Sequence, residues 1–184
     1  MLATILYLLL GLVVLFVVIG FFLPREITVE RSTGITQPAA AIFPWIADLK
    51  KWPDWTVWNK SEDPTLSYTY PGPTTGKGGS MHWTAKKMGD GSLTITALEP
   101  DKALRYELRM AGQSMVVRGN LELEPAGGGV TLVMWFDNID LGASPLKRWS
   151  GPLLNKMLGR AFERSLAGLK TAVESGAASG PGPM

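Results

Sequence analysis

The feature that most constrains the fold of this 184-residue chain is a change of hydrophobic period near residue 66. From there to residue 140, apolar residues recur at every second position in short segments that glycine, proline and aspartate separate. This alternation is typical of strands with one buried face, and connections this short favour antiparallel pairing and hairpins, as at residues 89–91 and 127–129. The sequence predicts six strands, at residues 66–70, 79–87, 92–99, 103–111, 115–124 and 130–139.

The predicted sheet has one polar and one apolar face, so another element has to cover the apolar one. In residues 103–111, for example, Tyr106 and Leu108 alternate with Arg105 and Glu107. The last apolar segment is the natural cover, because it starts at Ser150-Gly151-Pro152 and carries a stripe at helical spacing. We expect this helix to end at Gly176 and residues 176–184 to form a disordered tail.

Before the six strands, the pattern predicts a first strand and two short helices. Residues 25–35 are rich in β-branched side chains, and residues 38–49 have helical spacing that Pro44 should distort or shorten. Residues 50–58 follow as a second short helix or turn and contain three of the seven tryptophans. We expect Trp45 and Trp52 to pack as core, and Trp55 or Trp58 to reach the rim of a cavity.

Residues 2–23 contain no charged side chain and are long enough to cross a bilayer as a helix. A signal peptide is the competing interpretation, although a basic region before the segment and a small-residue cleavage site after it are lacking. We therefore predict a single-pass anchor at residues 1–23, a folded domain at 24–175 and the tail at 176–184. The side of the membrane stays open, because Arg25 and Arg31 favour a cytoplasmic domain only weakly.

Composition excludes several classes of function. The net charge is +2 without a long run of either sign, so a nucleic-acid partner is not expected. The absence of cysteine excludes thiolate chemistry, and the single histidine, His82, falls on the polar face of its strand. A hydrolase triad and a metal site therefore lack support, and we expect neither a metal nor a cofactor.

Acidic residues are the remaining candidates for chemistry. Glu107, Glu122 and Glu124 fall on the polar face beside arginines, which indicates solvated ion pairs. Asp137 is ambiguous, because both faces of residues 130–139 are apolar and the phase of this strand is not determined. If Asp137 points inward, it is a buried acid with a raised pKa.

A loop rich in glycine at residues 72–79, with Lys77 among the glycines, resembles a phosphate loop only superficially. A phosphate loop needs a following helix, whereas a strand follows here. We expect this loop to lie over the open end of a cavity, where Lys77 could at most meet an anionic headgroup.

The order of elements and several motifs resemble the START-like, or SRPBCC, superfamily, and within it the polyketide cyclase/dehydrase and lipid transport family. The resemblance covers roughly residues 26–174. The motifs are IFPWIAD at 42–48, WPDWTVW at 52–58, DP at 63–64, YPGP at 70–73, GKGGSMHW at 76–83, GGVTLVMW at 128–135 and GRAFERSLAGLK at 159–170.

This resemblance implies an α+β helix-grip fold, in which a curved seven-stranded antiparallel sheet wraps around a long C-terminal helix and encloses a cavity. It implies binding of a hydrophobic small molecule or lipid, and we favour a binding protein over an enzyme. We expect the cavity lining to comprise Trp58, Tyr68, Trp83, Ile95, Tyr106, Leu108, Val117, Met134, Leu158, Phe162 and Leu166.

Two alternatives stay open at this stage. A cyclase or dehydratase would need a polar group inside the cavity, for which Asp137, Tyr106 and Tyr68 are the candidates. An interaction module would have a filled interior instead. An inward acid or tyrosine pair favours catalysis, and an open apolar cavity without one favours binding or transport.

Overall fold

The chain begins with an apolar helix, α1, at Leu2–Phe22, and residues 23–25 lead directly into the first strand. The computed structural model describes residues 2–112 and 115–178. Residues 3–22 have a mean hydropathy of 3.0 and are almost fully exposed, so α1 is long and apolar enough to cross a membrane. A signal sequence would have the same properties.

Seven strands form one antiparallel sheet, whose order in space is β1-β7-β6-β5-β4-β3-β2. Every strand after β1 neighbours the next one in the chain, which is the meander that the short connections predict. The last strand, β7, closes this order by pairing with β1 over the whole length of β1. The strands are β1 Glu26–Ile35, β2 Ser67–Thr69, β3 Ser80–Thr84, β4 Gly91–Glu99, β5 Ala103–Met110, β6 Val116–Gly127 and β7 Val130–Asp140.

A long helix, α5, at Gly151–Ala178, covers the apolar face of the sheet. It continues past Gly176, where the sequence predicted its end, and residues 179–184 of the predicted tail lie outside the described residues. The helix is fixed to β1 by an ion pair between Arg31 and Glu163 at 2.5 Å and by the Lys170 ammonium, which donates to the Gly34 carbonyl at 2.9 Å.

The tryptophan run lies on short helices at one end of the core. These helices are α2 at Ala39–Ala47, a 3₁₀ turn at Leu49–Lys51 and α3 at Trp52–Trp55. The indoles of Trp52 and Trp55 donate to the carbonyls of Ile46 and Trp45, which the end of α2 leaves without helical partners. Trp52 and Trp55 are buried in the core, whereas Trp45, which was also predicted as core, is half-buried and packs against the core beside Lys51.

Candidate functional site

A cavity of about 1220 Å³ lies between the concave face of the sheet and the first two turns of α5. It is larger than the several hundred Å³ that many small-molecule sites occupy. The exposed residues in its lining all lie at the end of the sheet where β1 begins, next to α1. We call this end the mouth, and its rim includes Arg25, Lys87, Gly112, Lys147 and Met157.

Strand register gives the depth of the cavity. Arg25 at the mouth precedes Val29 by four positions, and Val29 pairs with Asp137. Four residues of strand span about 13 Å. Asp137 is thus deep in the interior, where the Trp52, Trp58 and Trp135 rings complete the wall opposite the mouth.

The closed end contains the only polar cluster within the described interior of the cavity. The Tyr106 hydroxyl donates to Oδ1 of Asp137 at 2.7 Å and accepts from the Trp135 indole nitrogen at 2.8 Å. These side chains are all buried, with Asp137 only 6% exposed. We call Tyr106, Trp135 and Asp137 the polar floor.

Gly119 makes this arrangement possible. It pairs with Tyr106 on one side and with Asp137 on the other, so the tyrosine ring has to cross β6 to reach the carboxylate. A Cβ atom at residue 119 would lie 1.9 Å from Cζ of Tyr106, far inside van der Waals contact. A glycine within a strand is thus required by the close approach of a side chain that bridges two strands.

Burial controls the ionisation of the polar floor. It raises the pKa of Asp137 to about 7, although the hydrogen bond from Tyr106 works in the opposite direction. Burial, reinforced by the adjacent carboxylate, holds the pKa of Tyr106 well above its ordinary value. The phenol therefore stays protonated as a donor, while Asp137 can exchange a proton near neutral pH.

Aromatic rings separate the cavity from the filled part of the core. Trp135 stacks on Phe162 of α5 with ring centroids 4.2 Å apart, and Trp58 meets both rings edge to face. Trp52 packs edge to face against Tyr106 with centroids 5.5 Å apart. Such contacts fix the positions of rings more firmly than aliphatic packing does.

A buried carboxylate also holds one side of the mouth. Asp63 accepts backbone hydrogen bonds from Thr65, Lys87 and Met88, and one from the Thr65 hydroxyl at 2.6 Å. These bonds lower the pKa of Asp63 to about 2, and the bond from the Thr65 hydroxyl has the largest effect. Asp63 therefore stays ionised. The turn after β3 is thereby fixed with Lys87 and Met88 on the cavity.

Many of the predicted lining residues face the cavity. Four do not: Met134 lies on the outer face of β7, and Ile95, Phe162 and Leu166 are buried behind the aromatic rings. Met134 was misplaced because both faces of β7 are apolar, and register with β6 turns Val133 and Trp135 inward instead. The predicted residues that line the cavity are Trp58, Tyr68, Trp83, Tyr106, Leu108, Val117 and Leu158.

Tyr68, the third candidate for chemistry, lies apart from the polar floor. Its hydroxyl donates to the Trp58 carbonyl at 2.7 Å, and burial raises its pKa. The structure thus brings Asp137 and Tyr106 together and leaves Tyr68 as part of the cavity wall.

Several residues that shape the cavity were not predicted from the sequence. Gly119, Trp52 and Trp135 were not among the predicted lining residues. A glycine in the middle of a regular strand pattern is a signal of close approach, and it could have identified Gly119. The methionines on the lining are Met88, Met110, Met115 and Met157.

The glycine-rich loop is not at the mouth, contrary to expectation. Its backbone is bonded elsewhere: Thr74 accepts from the Leu49 amide, and Gly78 donates to the Ile95 carbonyl. Lys77 is exposed and does not line the cavity. His82 is exposed on the outer face, as its strand phase predicted. Within residues 2–112 and 115–178, no three His, Asp or Glu side chains cluster as a metal site would need.

The fold agrees with that of solved structures of low sequence identity. Ara h 8.0201 has a TM-score of 0.59 at 17% identity, with 82% of this chain and 99% of that chain covered. A protein from Thermobifida fusca has a TM-score of 0.60 at 20% identity over 80% of this chain and 93% of that chain. A START superfamily protein from Mycobacterium smegmatis has a TM-score of 0.57 at 14% identity, over 80% and 97% of the two chains. The predicted helix-grip fold is confirmed.

A comparison with curated proteins gave no match. The sequence profile of one family does match, over residues 26–174, which is most of the chain and includes every strand, nearly all of the cavity lining and nearly all of α5. The chain belongs to the polyketide cyclase / dehydrase and lipid transport family.

Proposed function

We propose that this protein binds one hydrophobic molecule in the cavity and is held at a membrane by α1. The observation that carries the proposal is the cavity itself, which is open at the mouth, apolar along its length and closed by the polar floor. An interaction module with a filled interior is not supported by a space of about 1220 Å³.

The anchor gives the binding site a local supply of ligand. With residues 23–25 as the whole connection, the mouth stays next to the end of α1. A tether of this kind raises the effective concentration of the domain at the bilayer, so a weak site can still exchange ligand with it. Intact mass of the membrane-extracted protein tests the anchor, because removal of residues 1–23 as a signal sequence would contradict it.

The polar floor selects the chemistry of the ligand end that reaches it. Asp137 disfavours a phosphate or carboxylate there, because two like charges in a buried site repel strongly. A hydroxyl, carbonyl or amine can instead pair with Asp137 or Tyr106. An anionic group of the ligand would instead stay at the mouth, where it can pair with Arg25, Lys87 or Lys147. We therefore infer an amphipathic ligand with a neutral or basic polar group at its buried end.

Mass spectrometry of hydrophobic compounds that co-purify with the detergent-solubilised protein tests this function. Trp83→Ala is the matched variant, because its ring lines the cavity, and Trp45→Ala is the control away from it. We expect the Trp83 variant to lose bound compound, or affinity for a fluorescent lipid, by about tenfold, the equivalent of 1.4 kcal/mol. Equal losses of affinity and of thermal stability would assign Trp83 to the core alone.

A second candidate is an acid–base enzyme of the cyclase or dehydratase kind. The inward Asp137, with its pKa near 7 and Tyr106 at 2.7 Å, favours it, because a group that exchanges protons near the working pH is an effective general acid or base. Asp137→Asn separates the two candidates. A binding protein co-purifies with the same compound before and after this change, whereas an enzyme co-purifies with product in the parent protein and with unconverted substrate in the variant.

A further inference from the structure

A ridge of exposed apolar side chains borders the mouth. Outside α1, and among the residues that the structure describes, the exposed large apolar side chains are Leu146, Trp149, Leu153 and Met157. Their exposed fractions are 58%, 37%, 68% and 56%. They follow one another at intervals of three or four residues, which brings them to one side of α4, at Pro145–Arg148, and of the start of α5. Single apolar residues scattered over a surface are ordinary, but it is unusual for all the large exposed ones to lie in one place.

This apolar ridge is attached to the last two turns of α1. The Trp149 ring stacks on Phe16 with centroids 4.5 Å apart, and its indole nitrogen donates to the Phe16 carbonyl at 3.2 Å. Arg148 donates to the Phe21 carbonyl at 2.8 Å. Gly20 lies so close to Pro145 that a Cβ atom there would come within 2.7 Å of the Pro145 oxygen.

These contacts fix the depth of the ridge relative to a membrane. Phe16 precedes Leu23 by seven residues, which corresponds to about 10 Å along a helix. If α1 spans a bilayer, Trp149 therefore lies below the level at which the chain leaves the lipid. Tryptophan is enriched near the interface between membrane and water, where its ring lies in lipid and its nitrogen can donate to a polar group.

The charges around the ridge match an anionic lipid surface. Residues 141–162 include four basic side chains, Lys147, Arg148, Lys156 and Arg160, and no acidic one. An apolar stripe flanked by lysine and arginine is the pattern of helices that lie in a membrane interface. Basic residues near the headgroups add to binding when the lipids are anionic.

The ridge and the mouth share residues. Met157 belongs to both, and Lys147, Ser150 and Leu154 between the ridge residues line the cavity. We propose that the apolar ridge inserts into an anionic bilayer beside α1, so that the mouth opens into lipid and ligand enters without crossing water. This inference rests on the proposed function for α1 as a membrane anchor and for the identity of what enters, whereas the contacts of the ridge with α1 are independent of it.

The absence of cysteine from the chain allows a direct test. The full-length variants Leu153→Cys and Met157→Cys are each labelled with an environment-sensitive fluorophore. They are then reconstituted in nanodiscs of phosphatidylcholine and phosphatidylglycerol. Ala167→Cys is the control, because it is exposed on the same helix about 15 Å farther from the mouth than Met157. We expect brominated lipids to quench the probes at 153 and 157 several-fold more than the probe at 167.

Two results would overturn the inference. Equal weak quenching at all three positions would place the ridge in water, and shielding from water without lipid quenching would assign it to a protein contact, such as a second copy of the chain. Omitting phosphatidylglycerol should reduce quenching at 153 and 157 if the basic residues contribute.

A transfer measurement separates this inference from the proposed function. The double variant Leu146→Asp/Leu153→Asp changes two ridge residues that do not line the cavity, and it should slow uptake of a fluorescent lipid from anionic vesicles by about tenfold, since a charged side chain opposes insertion into lipid. Its affinity for the same lipid in detergent should stay unchanged, as should uptake by Ala167→Asp. If lipids quench the ridge probes but no ligand is bound, the proposed function is wrong and the insertion of the ridge stands. If ligand is bound and the double variant takes up lipid at the normal rate, the insertion of the ridge is wrong and the proposed function stands.

Discussion

The two halves of the interior use the same sheet face and the same helix, yet one is filled and the other is open. Away from the mouth, Phe162, Leu166, Leu169 and Val173 of α5 are at most 2% exposed. Near the mouth, Leu154 and Leu158 are only half-buried although their spacing continues the same stripe. The amphipathic pattern of a helix therefore does not determine whether its apolar face is packed or lines a cavity.

Side-chain size on the sheet accounts for the difference. Trp135 spans the gap between β7 and α5 and stacks on Phe162. Four positions nearer the mouth on β7 and β6, the sheet presents Ile139 and Val117, which are too short to fill the same gap. The polar floor lies at the boundary between the halves, so a ligand meets hydrogen-bonding groups at the depth where packing begins.

The largest expected effect comes from truncation in the filled half. Phe162→Ala should lower the free energy of unfolding by about 3–5 kcal/mol, because it removes a stacked ring and leaves a void. Leu158→Ala, in the open half, should cost about 1 kcal/mol or less, because its side chain is already half exposed to the cavity. Chemical denaturation followed by tryptophan fluorescence measures both.

The same pair of variants should behave in the opposite way in ligand binding. Leu158→Ala should weaken binding of a fluorescent lipid, and Phe162→Ala should leave binding by the folded fraction nearly unchanged. Equal destabilisation by the two substitutions would mean that the cavity closes up when no ligand is bound.

The second effect concerns the polar floor and pH. The pKa of Asp137 is raised from 3.8 to about 7 in the folded protein, so the folded state holds a proton that the unfolded state releases between these values. The contribution of Asp137 to stability is therefore full below pH 4 and falls as the pH rises to 7, by at most about 4 kcal/mol at 1.36 kcal/mol per pKa unit.

Asp137→Asn removes this dependence, because an amide does not ionise. The variant should be more stable than the parent protein at pH 8 and gain nothing at pH 4, as judged from denaturation midpoints across this range. A parallel decline of both proteins from pH 4 to pH 7 would show that another group is responsible.

The smallest of these effects tests the crossing of Tyr106 over β6. Gly119→Ala forces the ring away and breaks its hydrogen bond to Asp137, at a cost of about 1–3 kcal/mol. Gly72→Ala is the control, because a Cβ atom there has nothing within 4 Å. Thermal unfolding measures the cost, and a shift in the pH dependence described above would report the lost hydrogen bond. Equal stability of the two variants would exclude a tightly packed Tyr106.

Most of the fold followed from local patterns. All seven strands lie within a few residues of their predicted positions, because β1 is rich in β-branched residues and glycine, proline or aspartate turns separate the other six. The cover helix was equally clear from its start at residues 150–152 and from its apolar stripe. Its end was wrong, since Gly176 lowers helix propensity but does not by itself stop a helix.

The site was predicted only in part, for a physical reason. Tyr106 faced inward by the phase of a strand with a charged outer face, whereas β7 is apolar on both faces and carries no phase signal. If the phase of the strand shifts by one residue, Met134 rather than Trp135 faces the interior, and Asp137 points outward rather than inward. Pairing with β6 resolves this ambiguity, because it puts Asp137 opposite Gly119 and within reach of Tyr106.

The sequence alone therefore determined the sheet, its polar and apolar faces, the cover helix and an apolar N-terminal segment, because each depends on periodicity within one stretch of chain. Only the tertiary structure decided three other properties: the empty half of the interior, the joining of Tyr106 to Asp137 across Gly119, and the contact of Trp149 with α1. Each of these depends on side chains from distant stretches meeting across a gap, and neither the width of that gap nor the register is encoded in any one segment.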